Sequence, residues 1–289
     1  MTALERVGVV GCGLMGSGIA EVCARAGLDV VVREVDGEAA ALGRSRIEAS
    51  LEKAVARGKL PSDDRAAALS RLRFTTDLGD LADRQLVLEA VSESEALKLD
   101  VFATLDKVVA ADAILASNTS AIPIMKLAMA TGRPDRVLGL HFFSPVPVLQ
   151  LVELVCSLRT SDETAGTARQ FAEQQLGKRV ITSKDRAGFI VNSLLIPYLV
   201  SAVRMLESGF ASAEDIDMGM VLGCNHPMGP LALVDFIGLD VTLAAAASLY
   251  EEFKEPLYAP PPLLSRMVDA GLLGRKTGRG FYVYDRPGR

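Results

Sequence analysis

Gly11, Gly13 and Gly16 stand in the stretch V-G-V-V-G-C-G-L-M-G-S-G-I-A, directly after a Val-rich run and at the opening of an apolar helical pattern. Glycines at this spacing suit a phosphate. The first permits a tight turn, the second lets the backbone approach a pyrophosphate, and the third lets the helix pack closely. The free N–H groups at the helix start then meet the phosphate charge. Glu34 ends the second strand-like run, where a carboxylate accepts hydrogen bonds from adenosine ribose hydroxyls and repels a 2′-phosphate. Glycines and acid together specify NAD over NADP, with the neighbouring Arg33 partly offsetting the repulsion.

Proton chemistry falls to His141 or His226, the two histidines in the chain. His141 closes an apolar run, at the edge where open α/β sheets place their ligands. Glu153 follows on the next strand pattern. A carboxylate held against the imidazole would set its tautomer and stabilise the imidazolium, making His141 a general base. Spacing alone allows equally a histidine satisfied at a strand end. His226, in C-N-H-P-M-G-P, belongs to a turn and is expected to make a loop hydrogen bond without a catalytic role.

The elements that must position these groups show in the hydrophobic pattern. Short Val/Leu/Ile runs at 6–10, 29–33, 72–75, 86–91, 113–117 and 137–143 alternate with helical patterns, and runs at 151–156 and 179–182 extend the series. The runs are apolar throughout, as strands covered on both faces are. The expected fold is α/β: a Rossmann-type, doubly wound, mostly parallel sheet in residues 1–185, followed by a second, all-helical domain in 186–289. Helical patterns at 188–207, 212–222, 230–249 and 263–270 make up that second part.

With 289 residues, 49% of them hydrophobic, the chain can bury two cores without disulfides or a structural metal. Lys and Arg total 31 against 36 for Asp and Glu, a net charge of -5 without a basic block, which argues against a nucleic-acid surface. No membrane span is expected, because the longest charge-free stretches carry Asn, Ser and Pro. Cys12, Cys23, Cys156 and Cys224 lack C-x-x-C or zinc spacing, so no metal is expected. With only five residues ahead of the first strand run, the setting expected is the reducing cytoplasm.

G-C-G-L-M-G-S-G-I-A, A-S-N-T-S, H-F-F-S-P-V-P-V-L-Q-L-V-E, G-F-I-V-N, H-P-M-G-P and G-R-K-T-G-R-G-F-Y follow one another nearly end to end. In order and spacing they resemble the 3-hydroxyacyl-CoA dehydrogenase family, above all its free-standing, short-chain 3-hydroxybutyryl-CoA dehydrogenases. The resemblance implies that His141, paired with Glu153, takes the proton from the substrate's 3-hydroxyl while hydride leaves C3 for NAD. It implies that Ser120 hydrogen-bonds the reacting oxygen and that Asn192 lies near the substrate. It carries cofactor contacts to Gly11, Gly13, Leu14, Met15, Gly16, Glu34, Glu93, Lys98 and Lys276, with Asn118 near the nicotinamide. It also assigns Ser50 and Arg57 to an acyl-CoA substrate, and to the helical domain both dimerisation and closure over the substrate, hence a homodimer. The sequence departs from the family at Ser144 (commonly Asn), Ser193 (Arg), Glu34 (Asp) and Arg57 (Lys). Two other readings are a β-hydroxyacid dehydrogenase acting on a free acid, which normally uses a lysine base, and a non-enzymatic NAD-binding protein.

Overall fold

Eight strands form one sheet in the computed structural model, which describes residues 4–285. They are β1 (Arg6–Val10), β2 (Asp29–Arg33), β3 (Leu72–Thr75), β4 (Leu86–Glu89), β5 (Ile114–Ser117), β6 (Val137–Phe142), β7 (Leu151–Cys156) and β8 (Arg179–Lys184), in the spatial order β3-β2-β1-β4-β5-β6-β7-β8. Strands β1 to β6 run parallel, β7 is antiparallel to β6, and β8 is parallel to β7. The order reverses between β1 and β4, opening a crevice at their carboxyl ends, which is where α/β sheets take ligands.

Continuous apolar runs form these strands because both sheet faces are covered. Val7, Val9, Val30, Val32, Leu86 and Leu88 pack with Ile19 and Cys23 of α1 (Leu14–Arg25) and with Ile47 and Leu51 of α2 (Gly37–Ala56). Val31, Val87 and Leu115, which point the other way, are equally inaccessible. The remaining helices of this unit are α3 (Ser62–Ser70), α4 (Glu95–Val108), α5 (Ile124–Met129) and α6 (Asp162–Gln170).

Contacts divide the chain at residue 186 into two units. The second holds α7 (Val191–Glu207), α8 (Ala213–Cys224), α9 (Pro230–Ile237), α10 (Leu239–Phe253) and α11 (Pro262–Asp269). Helix α7 buries Ile196, Leu199, Val200 and Val203, the stripe of an amphipathic helix, and its residues enter both apolar clusters of the unit. The sequence pattern suggests a single helix over 230–249. Two helices form instead, bent by 99° at Gly238, whose φ of 108° lies outside any helical region.

Two buried carboxylates tie this unit together. Asp217 on α8 accepts from the Leu231 and Ala232 N–H groups at 2.8 and 2.9 Å, capping α9. Asp235 on α9 accepts from Phe281 and Tyr282 N–H and from the Tyr284 hydroxyl, each at 2.9 Å. Among the described residues, no single helix is long and apolar enough to cross a membrane.

Candidate active site

Gly11 turns the chain at φ 90°, and its N–H reaches the Arg33 carbonyl at 2.9 Å. A Cβ at Gly16 would stand 1.8 Å from the Gly11 carbonyl oxygen, so α1 closes onto the turn only with glycine there. A Cβ at Gly13 would meet nothing within 4 Å, leaving that backbone open to a ligand. Gly13 also begins α1 without a side-chain cap or an acidic first turn. In α2, α4, α6 and α8, by contrast, Asp36, Ser94, Ser161 and Ser212 cap the first turn. An uncapped N-terminus facing open space, on a glycine that admits close approach, fits the pyrophosphate of a dinucleotide. Leu14 is 72% exposed beside it, and Met15 packs against the core.

At the end of β2, Glu34 accepts from the Cys12 N–H and, through its second oxygen, from Val35 N–H at 3.0 Å. Glu34 is thereby fastened to the glycine turn. Burial, with the Glu34 charge second, pushes the Cys12 thiol up to about 12, so Cys12 stays neutral.

The ends of β4 and β5 carry a buried polar network. Glu89, wholly inaccessible, accepts from the Lys98 ammonium at 2.6 Å, Val91 N–H at 2.7 Å and the Ser117 hydroxyl at 2.6 Å. Lys98 also lies 3.2 Å from Glu93 and is itself 1% exposed. Glu93 accepts from the Thr119 hydroxyl and from Ser120 N–H at 3.0 Å. The Asn118 side-chain Oδ1 accepts from Phe142 N–H at 2.8 Å, joining the end of β5 to the end of β6.

Antiparallel pairing places His141 on β6 opposite Glu153 on β7. Imidazole Nδ1 lies 2.7 Å from a Glu153 oxygen, with Glu153 fully buried and His141 7% exposed. The Phe143 ring lies 4.6 Å from the imidazole, centroid to centroid. Such a pair can take up a proton at the outer ring nitrogen and share the resulting charge.

The sequence matches two family models, the NAD binding domain of 3-hydroxyacyl-CoA dehydrogenase over residues 6–186 and the C-terminal domain of the same enzymes over 188–284. The chain belongs to the 3-hydroxyacyl-CoA dehydrogenase family. It is an oxidoreductase whose first unit binds NAD. A 3-hydroxybutyryl-CoA dehydrogenase of Mycobacterium tuberculosis is 60% identical over 98% of this chain and 99% of its own. The crystal structure of M. tuberculosis FadB2 superposes with a TM-score of 0.97 at 60% identity, covering 98% of this chain and all of that one. That of (S)-3-hydroxybutyryl-CoA dehydrogenase PaaH1 from Ralstonia eutropha gives 0.94 at 47% identity, with the same coverage.

The first unit of this 3-hydroxyacyl-CoA dehydrogenase places the glycine turn, Glu34, Glu93, Lys98, Asn118, Ser120 and His141 at or just beyond the carboxyl ends of its parallel strands, with Glu153 opposite His141 from the first half of antiparallel β7. Lys98 is expected from the sequence as a cofactor contact, but its ammonium is committed to Glu89, Glu93 and the Val91 carbonyl. Its influence passes through Glu93, which is 41% exposed. Ser50, on α2, and Arg57, exposed at that helix's C-terminal cap, stand apart from these groups.

In the second unit, Asn192 lies in the first turn of α7, and Lys276 pairs with Asp240 at 2.6 Å. Ser193 donates to the Phe189 and Ala187 carbonyls at 2.7 and 3.1 Å, closing the turn before α7. His226 bonds the Tyr198 hydroxyl at 3.1 Å. Glu89 and Ser117 were not expected at the site. Their sequence signal is a carboxylate and a hydroxyl each ending an otherwise apolar buried strand, L-V-L-E and I-L-A-S.

Proposed function

We propose that the protein interconverts (S)-3-hydroxybutyryl-CoA and acetoacetyl-CoA, with His141 as the general base. The observation that carries this reading is the buried 2.7 Å pair of His141 and Glu153 at the carboxyl end of β6. Nδ1–H donates to the ionised Glu153, which leaves Nε2 as the basic nitrogen, and Nε2 takes the proton of the 3-hydroxyl. NAD, when bound, supplies the acceptor for the hydride of C3. As the hydroxyl bond to hydrogen breaks, its electron pair forms the C3 carbonyl, and the C3–H pair departs as hydride. Glu153 stabilises the imidazolium that results, an interaction strengthened by burial. Ser120 donates a hydrogen bond to the reacting oxygen, and Ser50 and Arg57 hold the CoA moiety. The short-chain assignment is supported by the relatives at 60% and 47% identity, both named for the four-carbon substrate.

A homodimer is part of the proposal. It is supported by exposed apolar side chains in the second unit, Leu194 at 72%, Phe210 at 78% and Leu222 at 77% among them, and light scattering should give twice 30.7 kDa. A cytoplasmic setting accords with four cysteines that are all unpaired.

The test is NADH oxidation followed by absorbance with acetoacetyl-CoA, a longer 3-oxoacyl-CoA and free acetoacetate, then repeated with NADPH. Acetoacetyl-CoA should be reduced fastest and acetoacetate not at all. Turnover of the free acid alone would move the protein to the β-hydroxyacid class. Tight NADH binding without any turnover would leave a non-enzymatic NAD-binding protein.

A further inference from the structure

The loop after β5 runs through Asn118, Thr119, Ser120, Ala121 and Ile122; Asn118 N–H donates to the Glu89 carbonyl at 2.9 Å, and the four backbone donors that follow find their acceptors in side chains. Thr119 N–H donates to the Ser117 hydroxyl at 3.1 Å, Ser120 N–H to Glu93 at 3.0 Å, Ala121 N–H to Glu93 at 3.2 Å and Ile122 N–H to the Thr119 hydroxyl at 3.0 Å. Four consecutive amides are therefore held by Ser117, Glu93 and Thr119 instead of by the sheet. A loop held this way has whatever shape those side chains impose.

The side chains are in turn set by Glu89. One Glu89 oxygen accepts from Ser117, orienting the hydroxyl that receives Thr119 N–H. The other accepts from Lys98, whose ammonium also lies 3.2 Å from Glu93. Two carboxylates in one site repel each other, and the ammonium between them offsets that repulsion. Neutralising Glu89 leaves Lys98 to Glu93 and the Val91 carbonyl and leaves the Ser117 hydroxyl without its anionic acceptor, so both supports of the loop move at once. The same loop carries Ser120, and through the contact from Phe142 N–H to Asn118 it joins β6 beside His141.

We infer that Glu89 is a positioning residue for the reaction: through Lys98 and Ser117 it fixes the 118–122 backbone, and with it the placement of Ser120 relative to His141. The inference deepens the dehydrogenase reading above and rests on it for the role of Ser120. A purely stabilising ion pair accounts less well for this arrangement, because burying two charges costs desolvation that an apolar pair of the same volume avoids. Here the interactions end on the backbone of a loop at the site.

The test compares the full-length wild type with Glu89→Gln, which keeps the shape and removes the charge. Amide hydrogen exchange over 119–122 should accelerate while β1 and β2 keep their protection. With acetoacetyl-CoA and NADH, kcat should fall between about 10-fold and 100-fold, the scale of a small misplacement, with KM for both little changed. Arg84→Met is the control. It removes the salt bridges of buried Arg84 to the exposed carboxylates of Asp29 at 2.8 Å and Asp83 at 2.7 Å, before β4 begins, and should lower the melting temperature without changing kcat.

Unchanged exchange at 119–122 in folded Glu89→Gln overturns the inference, whatever the substrate proves to be. So does a kcat equal to that of the wild type. Wild type that turns over no acyl-CoA sinks the dehydrogenase reading alone, since the exchange measurement still decides whether Glu89 sets the loop. Should Glu89→Gln fail to fold, Ser117→Ala cuts one of the two supports. It should accelerate exchange at Thr119 and lower kcat several-fold, and failure to do both overturns the inference.

Discussion

In the first unit the buried carboxylates of Glu89 and Glu153 meet side chains that carry or accept charge, Lys98 at 2.6 Å and His141 at 2.7 Å. In the second unit Asp217 and Asp235 are also buried but spend both oxygens on backbone N–H groups and tyrosine hydroxyls. A carboxylate paired with an imidazole or an ammonium can steady a charge at the site. One filled by backbone N–H groups and by tyrosine hydroxyls, whose pKa burial and the carboxylate itself push up, holds the fold together. The contrast explains two of the segments that carry the family resemblance. In H-P-M-G-P, a Cβ on Gly229 would fall 2.2 Å from the Asp217 side chain, and in G-R-K-T-G-R-G-F-Y one on Gly280 would fall 2.0 Å from an Asp235 oxygen. Those glycines make room for structural carboxylates. In the first motif Gly13 instead leaves open space, as a cofactor requires.

If this division holds, His141→Gln should lower kcat by about 10² to 10⁴, the usual loss of a general base, with NADH affinity and melting temperature little altered. Near-normal turnover in the absorbance assay would remove His141 from the chemistry and erase the difference between the units. Asp235→Ala should do the reverse. It strands two backbone donors and a hydroxyl, and urea unfolding should show a loss of about 3 to 4 kcal/mol while NADH binding by the first unit is retained. A loss below about 1 kcal/mol would mean that Asp235 is not an anchor. The smallest effect expected is that of Glu34→Ala, which should narrow the preference for NADH over NADPH by about tenfold, the worth of one charge-assisted hydrogen bond. Fluorescence titration with both cofactors measures it, and an unchanged ratio would refute the ribose role.

Most of the first unit was readable in the chain, because strands buried on both faces must be apolar throughout and so stand out from amphipathic helices. Strand β1 falls where its valines announce it. Strand β4 stops at Glu89, short of the expected end, because the carboxylate turns into the polar network there. His141 and Glu153 could be singled out as a pair from their places on adjoining strands. The network of Glu89, Lys98, Ser117 and Glu93 could not, since Ser117 lies 28 residues from Glu89 and becomes its neighbour only through parallel pairing of β4 and β5. In the second unit the helical pattern over 230–249 gave no sign of the break, because one glycine is tolerated within a helix and only its φ shows that this one ends it.

Local patterns therefore determined the order of strands and helices, the phosphate turn and the acid and base candidates, since each depends on residues close in sequence or on a periodicity that survives without a partner. Tertiary structure alone decided which carboxylates meet a titratable group and which meet backbone. That outcome depends on strand register and on where distant N–H groups point. Moving β7 by one residue would turn Glu153 to the opposite face of the sheet and leave the composition and hydrophobic pattern of the chain as they are.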